Sequence, residues 1–254
     1  MKSVTSKLKS IKAELRKHAD KVRAEHSKSF FKTKRGEYGY GDVFLGLTVP
    51  LQREIAKKYY DLPLSDVFNL LKSKIHEERL TALIILVHAY QKGDSKAKSK
   101  IFTQYLKHAK WINNWDLVDT SAPQIIGDFC WRNQDRATST RLIKSSDLWE
   151  RRIGVLASFM FIKHGDVELS LNLASKLLQD KHDLMHKAVG WMLREAEKRK
   201  PDEVRHFLEL HATSMPRTML RYAIERFPER ERKKFLLKKK DLRVRSPRRL
   251  STKK

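Results

Sequence analysis

Hydrophobic positions recur at helical spacing through most of the chain, and no segment of useful length alternates as a strand does. The first predicted helix, 3–28, has an apolar side formed by Val4, Leu8, Ile11, Leu15 and Val22. After a glycine-rich break at 36–42, the predicted helices are 50–60, 64–73, 77–92, 95–109, 114–131, 135–145, 148–164, 167–179, 183–199, 202–212 and 217–227. The pattern predicts an all-α protein.

Four of these helices are related by a period of 36 residues. The segment ERLTALIILVHAYQKGD (78–94) aligns without a gap with ERRIGVLASFMFIKHGD (150–166), two periods later. Intermediate and final copies start at Asn114 and His186. A helix end followed by a cap is predicted at the same point of the repeat, at Gly93–Asp94, Gly165–Asp166 and Pro201–Asp202. Such a period is typical of stacked helical pairs, so we predict a solenoid, with 1–228 as one domain.

Polar and aromatic side chains replace aliphatic ones along one edge of this predicted stack. One phase of the repeat is shared by Leu83, Asp119, Val155 and Trp191, and another is shared by Asp116 and Arg152. Trp115 lies one helical turn before Asp119. Because equal phase places residues on the same edge of a solenoid, these side chains indicate a binding surface.

Each of these residues alone has an ordinary structural interpretation. A carboxylate at an otherwise apolar position must be paired, for example Asp119 with Arg152, or must stand at a solvent-lined edge, because burial without a partner is costly. The tryptophans alone would be packing residues, and Arg152 alone would be a solvated charge. Together, two indole rings, a carboxylate and a guanidinium suit stabilisation of a cation that forms on a nucleic-acid strand.

The charge of the chain favours a polyanionic partner. With 55 Lys and Arg against 30 Asp and Glu, the formal net charge is +25. It is concentrated at the ends, with a net of +9 over 1–35 and +10 over 229–254. Nucleic acid is therefore the first expected partner, and an anionic membrane the second. We expect 229–254 to be a basic tail that is partly disordered.

Several other classes of function find no support in the sequence. No apolar run approaches the roughly 20 residues that span a bilayer, and no signal-peptide core is present at the N-terminus. The single cysteine, Cys130, excludes an internal disulfide, fits a reducing compartment and is expected to be buried and inert. No phosphate-binding glycine motif, dinucleotide fingerprint or zinc-type Cys/His cluster occurs, so neither a metal site nor a cofactor is expected.

The runs FFKTKRGEYGYGDVFLGLTVPLQREIAKKYY (30–60), NNWDLVDTSAPQIIGDF, LWERRIGVL and HKAVGWMLRE together resemble the DNA alkylation repair family of AlkD-like glycosylases, over about 30–228. The resemblance implies HEAT-like helical repeats whose concave basic face binds double-stranded DNA. It implies that Trp115, Asp119 and Trp191 are catalytic and that Arg152 is an active-site arginine. Further DNA-binding candidates are Thr48, Pro50, Arg53, Lys187 and Arg194.

The implied reaction is excision of purines alkylated at N3 or N7, such as N3-methyladenine and N7-methylguanine. These bases are cationic and leave without a general acid, and positive charge then develops on the sugar. Asp119 would stabilise that charge and position water. The resemblance further implies work from the backbone side, without a base-flipping pocket or a lyase step. We expect a monomer that acts in the cytoplasm with the nucleoid, or in another intracellular DNA compartment.

Two alternatives remain open at this stage. Some members of the fold resemble binders of branched or damaged DNA that do not excise bases, and a protein–protein scaffold of helical repeats is a third possibility. The segment GEYGYGD (36–42) has two equally favoured interpretations. It is either a tight surface turn with two packing tyrosines, Tyr38 and Tyr40, or a flexible element that contacts DNA.

Overall fold

The computed structural model describes residues 4–238, and over that range the protein is all-α, as predicted. The described residues form no strand, and one isolated parallel bridge joins Val43 to Ile75. The chain divides into two compact units, Met1–Asp166 and Val167–Lys254. The prediction of one domain over 1–228 stays a prediction.

The described part of unit 1 contains ten α-helices. They are α1 (Val4–Lys17), α2 (Lys21–Phe30), α3 (Val49–Lys57), α4 (Leu64–Leu71), α5 (His76–Lys92), α6 (Ser95–Lys107), α7 (Trp115–Ala122), α8 (Asp128–Arg132), α9 (Ala137–Leu142) and α10 (Leu148–Lys163). In the described part of unit 2, the helices are α11 (Glu168–Lys176), α12 (Asp183–Glu197), α13 (Pro201–His211), α14 (Arg217–Ala223) and α15 (Glu229–Leu237).

The first predicted helix, 3–28, is in fact two helices. Asp20 begins α2 as its N-cap, and its carboxylate accepts a hydrogen bond from the backbone N–H of Arg23 at 3.0 Å. The backbone N–H of Asp20 donates to the carbonyl of Leu45, which fixes the break against the later loop. The break also changes the helical phase, because Ile11 is fully buried whereas Val22, predicted on the same side, is 70% exposed.

The predicted helix 114–131 forms one run of helical backbone, but its hydrogen bonding changes along its length. A π-helical turn, Pro123–Gly127, separates α7 from α8. Pro123 lacks the N–H that a regular helix uses at this position, which favours a local change of hydrogen bonding. Gly127 has no side chain to obstruct α10, since a Cβ there would lie 2.7 Å from the carbonyl oxygen of Ala157. The three segments therefore act as one helical rod that packs closely on α10.

The caps predicted between repeats follow three different patterns. Asp94 caps α6, because its carboxylate accepts from the N–H of Ala97 at 2.8 Å. Asp166 is not the N-cap residue of α11. Its carboxylate pairs with Arg136 at 2.5 Å, and Val167 occupies the cap position without a side-chain hydrogen bond. Pro201 begins α13 at its first turn, where a missing N–H costs nothing.

Three phase-related helices of unit 1 pack side by side. Helix α7 contacts both α5 and α10. At the shared phase, Leu83 and Val155 are buried, and Asp119 stands on the helix that packs against both of theirs. The helices that the repeat frame relates within unit 1 are therefore packed on one another through α7. In unit 2, the fourth helix of the series, α12, packs on α11, α13 and α14.

Helix α15 lies within the segment predicted as a basic tail. Its Phe235 is buried and contacts Phe227 edge-on, with ring centroids 5.9 Å apart, and Glu231 pairs with Arg205. The rest of the predicted tail, 239–254, lies outside the described residues. The folded part of the chain thus extends at least to the end of α15.

Candidate active site

Asp119 and Arg152 form a parallel, two-point ion pair. The Nε and one terminal nitrogen of Arg152 each donate to a different oxygen of Asp119, both at 2.8 Å. This geometry fixes the carboxylate in position as well as in charge. The Asp119 side chain is 20% exposed, whereas Arg152 is 5% exposed, so solvent reaches the acid more than the base.

The environment of Asp119 is only partly polar. Burial raises the pKa of Asp119 above its ordinary value, and the neighbouring Asp116 charge adds to that rise, while Arg152 opposes it. A carboxylate that is held in place and partly removed from water interacts strongly with a nearby cation. Of the two alternatives for Asp119 derived from the sequence, pairing and solvent access, the structure combines both.

Trp115 stands at the first turn of α7, where the Asn114 side chain accepts a hydrogen bond from its backbone N–H at 2.8 Å. Its indole contacts two consecutive phenylalanines that the sequence did not single out. Phe31 stacks on it with centroids 5.5 Å apart, and Phe30 meets it edge-on at 5.8 Å. Phe30 is 63% exposed, so an aromatic surface continues outward from Trp115.

Behind Trp115 lies a buried charge network that the sequence analysis missed. His76 contacts the carboxylates of Asp42 and Asp116 through its two ring nitrogens, at 3.1 and 2.7 Å. Arg79 pairs with the second oxygen of Asp42 at 2.7 Å. Asp42 stands in a loop and His76 at the start of α5, both outside the aligned repeat segments, so periodicity could not have brought them together with Asp116 and Arg79.

Beside the Asp119 helix, α3, α5 and α7 enclose an open polar hollow of about 300 Å³. Tyr60 and His88 stack face to face in its wall, with centroids 3.6 Å apart. Its lining residues are Arg53, Tyr60, Ile84, Val87, His88, Gln91, Thr120 and Gln124. No carboxylate belongs to this lining, and a guanidinium and two amides do, so the hollow suits an anion.

The two tyrosines of the glycine-rich segment 36–42 have different environments. Tyr38 packs edge-on against Trp149, with centroids 5.9 Å apart, whereas Tyr40 is 64% exposed. Gly39 passes so close to Phe31 that a Cβ would lie 2.3 Å from its carbonyl oxygen. One tyrosine therefore anchors the turn, and the other is available on the surface.

The family model of the DNA alkylation repair enzymes matches residues 11–227, which is most of the chain. The chain belongs to the DNA alkylation repair enzyme family. Among solved structures, it is similar to a predicted DNA alkylation repair enzyme from Enterococcus faecalis, with 14% identity and a TM-score of 0.63. That match covers 83% of this chain and 97% of the other, and at this identity it supports the fold alone. No curated protein matches the sequence.

In this member of the DNA alkylation repair family, the candidates on α3 surround the start of that helix. Thr48 is its N-cap and accepts from the N–H of Leu51 at 3.5 Å, and Pro50 lies in its first turn. Both are exposed. Arg53 is also exposed and lines the polar hollow, which places a cation on the same face of unit 1 as Thr120.

The remaining candidates lie on α12 in unit 2. Trp191 is half-buried, Lys187 pairs with Asp183 at 2.8 Å, and Arg194 pairs with Glu225. These pairs hold both cations near the helix surface. That the three side chains face the same DNA as Asp119 stays a prediction.

Other candidate chemistries of this family member are limited within residues 4–238. The described residues contain no group of three or more His, Cys, Asp or Glu side chains arranged to hold a metal ion. Cys130 is buried, and burial raises the pKa of its thiol to about 12, so it is a poor nucleophile. Helices both long and apolar enough to cross a bilayer are absent from the same residues.

Proposed function

We propose that this protein is a monofunctional DNA-alkylpurine glycosylase. It hydrolyses the N-glycosidic bond of cationic purines such as N3-methyladenine and N7-methylguanine in double-stranded DNA. The observation that carries this proposal is the Asp119 carboxylate, which Arg152 holds at two points and which is still exposed to solvent one turn from Trp115.

The substrate itself supplies much of the driving force. A purine alkylated at N3 or N7 carries a positive charge and leaves as a neutral base, so protonation by a general acid is unnecessary. As the bond breaks, positive charge moves to the deoxyribose, as in the oxocarbenium-like transition states of glycoside hydrolysis. A fixed anion beside the sugar lowers the energy of that state more than the energy of the ground state.

Asp119 is the residue proposed to supply this anion and to accept a hydrogen bond from the attacking water. Arg152 keeps both carboxylate oxygens in a fixed plane, which reduces the reorganisation needed when charge develops. We further propose that the faces of Trp115 and Trp191 contact the cationic sugar. Water is the nucleophile, so no amine intermediate forms and no lyase step is expected.

Binding of the DNA strand is proposed to use the polar hollow and the start of α3. Arg53 would contact a backbone phosphate, with Thr48 and Pro50 beside the strand and the amides of Gln91 and Gln124 nearby. Arg152 would contact a phosphate in addition to Asp119, and Lys187 and Arg194 would bind the strand from unit 2. The protein would act as a monomer in an intracellular DNA compartment, without a cofactor and without a base-flipping pocket.

The decisive experiment is release of methylated bases from alkylated duplex DNA, measured under single-turnover conditions with the spontaneous rate subtracted. We expect release by the native protein and a loss of about 100-fold or more in Asp119→Asn. Asp128→Asn is the matched control, because Asp128 stands on the same helical rod but pairs with Arg132 and Tyr90. It should retain nearly full activity.

The result against the proposal is equally definite. Release by the native protein no faster than the spontaneous rate would exclude glycosylase activity. Equal rates for the native protein and Asp119→Asn would remove Asp119 from the mechanism. If base release is absent but binding to branched DNA exceeds binding to plain duplex, recognition without excision becomes the function.

A further inference from the structure

His76 joins two segments of unit 1 that are far apart in sequence. Its Nδ1 atom lies 3.1 Å from Asp42, at the end of the glycine-rich segment, and its Nε2 atom lies 2.7 Å from Asp116, in the first turn of α7. The histidine is buried, as is Asp42. Since both ring nitrogens contact carboxylates, the imidazolium form satisfies both contacts as a double donor.

Aromatic contacts reinforce the same connection. The His76 ring contacts both Phe31 and Phe44, at centroid distances of 4.9 and 4.8 Å, and these two phenylalanines stack on each other at 5.2 Å. Phe31 also stacks on Trp115. A movement of the imidazole would therefore reach Trp115 by two routes, through the Asp116 backbone and through the Phe31 ring.

Asp116 also couples His76 to Asp119 through its charge. One of its oxygens contacts His76, while the other, Oδ1, is buried without a hydrogen-bond partner among the described residues. Its negative charge raises the pKa of Asp119, one turn further along α7. The positive charge of His76 therefore offsets the negative charge of Asp116, which is the acid that disfavours ionisation of Asp119.

We infer that His76 is a positioning residue for the Trp115 and Asp119 site, acting as an imidazolium that links the 36–42 segment to α7. The inference rests on the proposed function for its effect on catalysis. The charged groups that face His76 are Asp42, Asp116 and Arg79. Asp42 is itself neutralised by Arg79, so Asp116 is the acid that depends on the histidine.

His76 carries a proton over a range of pH that includes neutral pH. Burial lowers its pKa, but the Asp116 and Asp42 carboxylates outweigh that effect and raise the pKa to about 9, against the opposing charge of Arg79. His76 is therefore charged at neutral pH and loses its proton above about pH 9. Loss of that proton leaves Asp116 uncompensated beside Asp119.

The pH profile of single-turnover base release tests this inference with two variants that act in opposite directions. In His76→Gln, the acid limb set by Asp119 should move to higher pH by roughly half a unit to one unit, since Asp116 is no longer compensated. The rate at neutral pH should fall roughly tenfold, and the alkaline limb near pH 9 should vanish. In Asp116→Asn, the acid limb should move to lower pH.

Tyr105→Phe is the matched control. Tyr105, on α6, is buried and its hydroxyl contacts Ser121 on α7 at 2.8 Å, but the contact carries no charge at neutral pH. This variant should leave both limbs of the profile in place. Limbs in His76→Gln that coincide with those of the native protein would overturn the inference.

Amide hydrogen exchange provides a measurement that does not depend on catalysis. His76→Gln should speed exchange roughly tenfold at both 39–43 and 115–119 and leave α13 unchanged. Tyr105→Phe should affect α7 without affecting 39–43. Unchanged exchange at either segment in His76→Gln would show that the histidine does not link them. If the native protein releases no base, the proposed function is wrong, and the exchange result still decides the link.

Discussion

At the scale of single residues, the Asp119–Arg152 pair sets both the position and the ionisation of the proposed catalytic acid. Arg152 comes from α10 and Asp119 from α7, so the pair also joins two helices that share a repeat phase. Since Arg152 is almost fully buried, its loss leaves a half-buried carboxylate with no compensating charge. Catalysis and stability should therefore respond together to changes at this position.

Replacing Arg152 by Gln should lower the free energy of unfolding by roughly 2 kcal/mol, less than for a fully buried pair because Asp119 retains solvent contact. The pKa of Asp119 should rise further, which moves the acid limb of base release to higher pH. Chemical denaturation and the pH profile measure the two effects. The surface control Arg132→Gln should cost under about 0.5 kcal/mol.

A double-mutant cycle separates the interaction energy of the Asp119–Arg152 pair from the other effects of each substitution on stability. Asp119→Asn combined with Arg152→Gln should be less destabilised than the sum of the single changes, because the unpaired carboxylate is absent. Additive effects would mean that the two side chains do not interact in solution.

At the scale of helices, the N-terminal turn of α5 organises unit 1. Glu77 accepts hydrogen bonds from the backbone N–H groups of Leu45, Gly46 and Leu47, at 2.7–3.3 Å. The next residue, Glu78, pairs with Lys12 and Arg16 of α1. Consecutive acids on one helix thus hold two different parts of the N-terminal region, and the loop that Glu77 fixes leads directly into α3.

Replacing Glu77 by Gln should lower the free energy of unfolding by roughly 2–3 kcal/mol, because hydrogen bonds to a buried charge are stronger than those to a neutral amide. Denaturant titration measures the change. Glu54→Gln, on the exposed side of α3, is the control and should stay within about 0.5 kcal/mol of the native protein. A similar small effect for both variants would contradict this account of the loop.

The same contacts show what the hydrophobic pattern can and cannot predict. Periodicity located most of the helices and related α7 to the two helices it packs on, α5 and α10, because packing on one side of a helix leaves a repeating signal. It did not predict the break at Asp20, which depends on a hydrogen bond to Leu45. Nor did it predict the His76 network, because His76 and Asp42 lie outside the repeat and reach Asp116 and Arg79 through tertiary contacts.

At the scale of the whole molecule, the positive charge is unevenly distributed, and part of it lies beyond α15. Residues 239–254 carry a net charge of +7 and lie outside the described residues. The buried Phe235 and the Arg205–Glu231 pair make α15 part of the folded unit. A truncation that tests the role of charge should therefore keep α15 intact.

Deleting 239–254 should weaken DNA binding mainly at low salt. If each removed charge neutralises one phosphate, the log–log salt dependence becomes shallower by up to about 6. The single-turnover excision rate at saturating enzyme should not change, since the proposed site lies elsewhere. Fluorescence anisotropy over a range of salt concentrations measures the slope, and a collapse of the excision rate would assign the segment a catalytic role.

The run His76–Glu77–Glu78–Arg79 has a consequence for biosynthesis. These four residues satisfy Asp42, the 45–47 backbone and the cations of α1, all of which leave the ribosome earlier. A nascent chain that ends before His76 therefore has no native partners for these groups, and the segments before α5 must wait for that helix to emerge before they acquire their final structure.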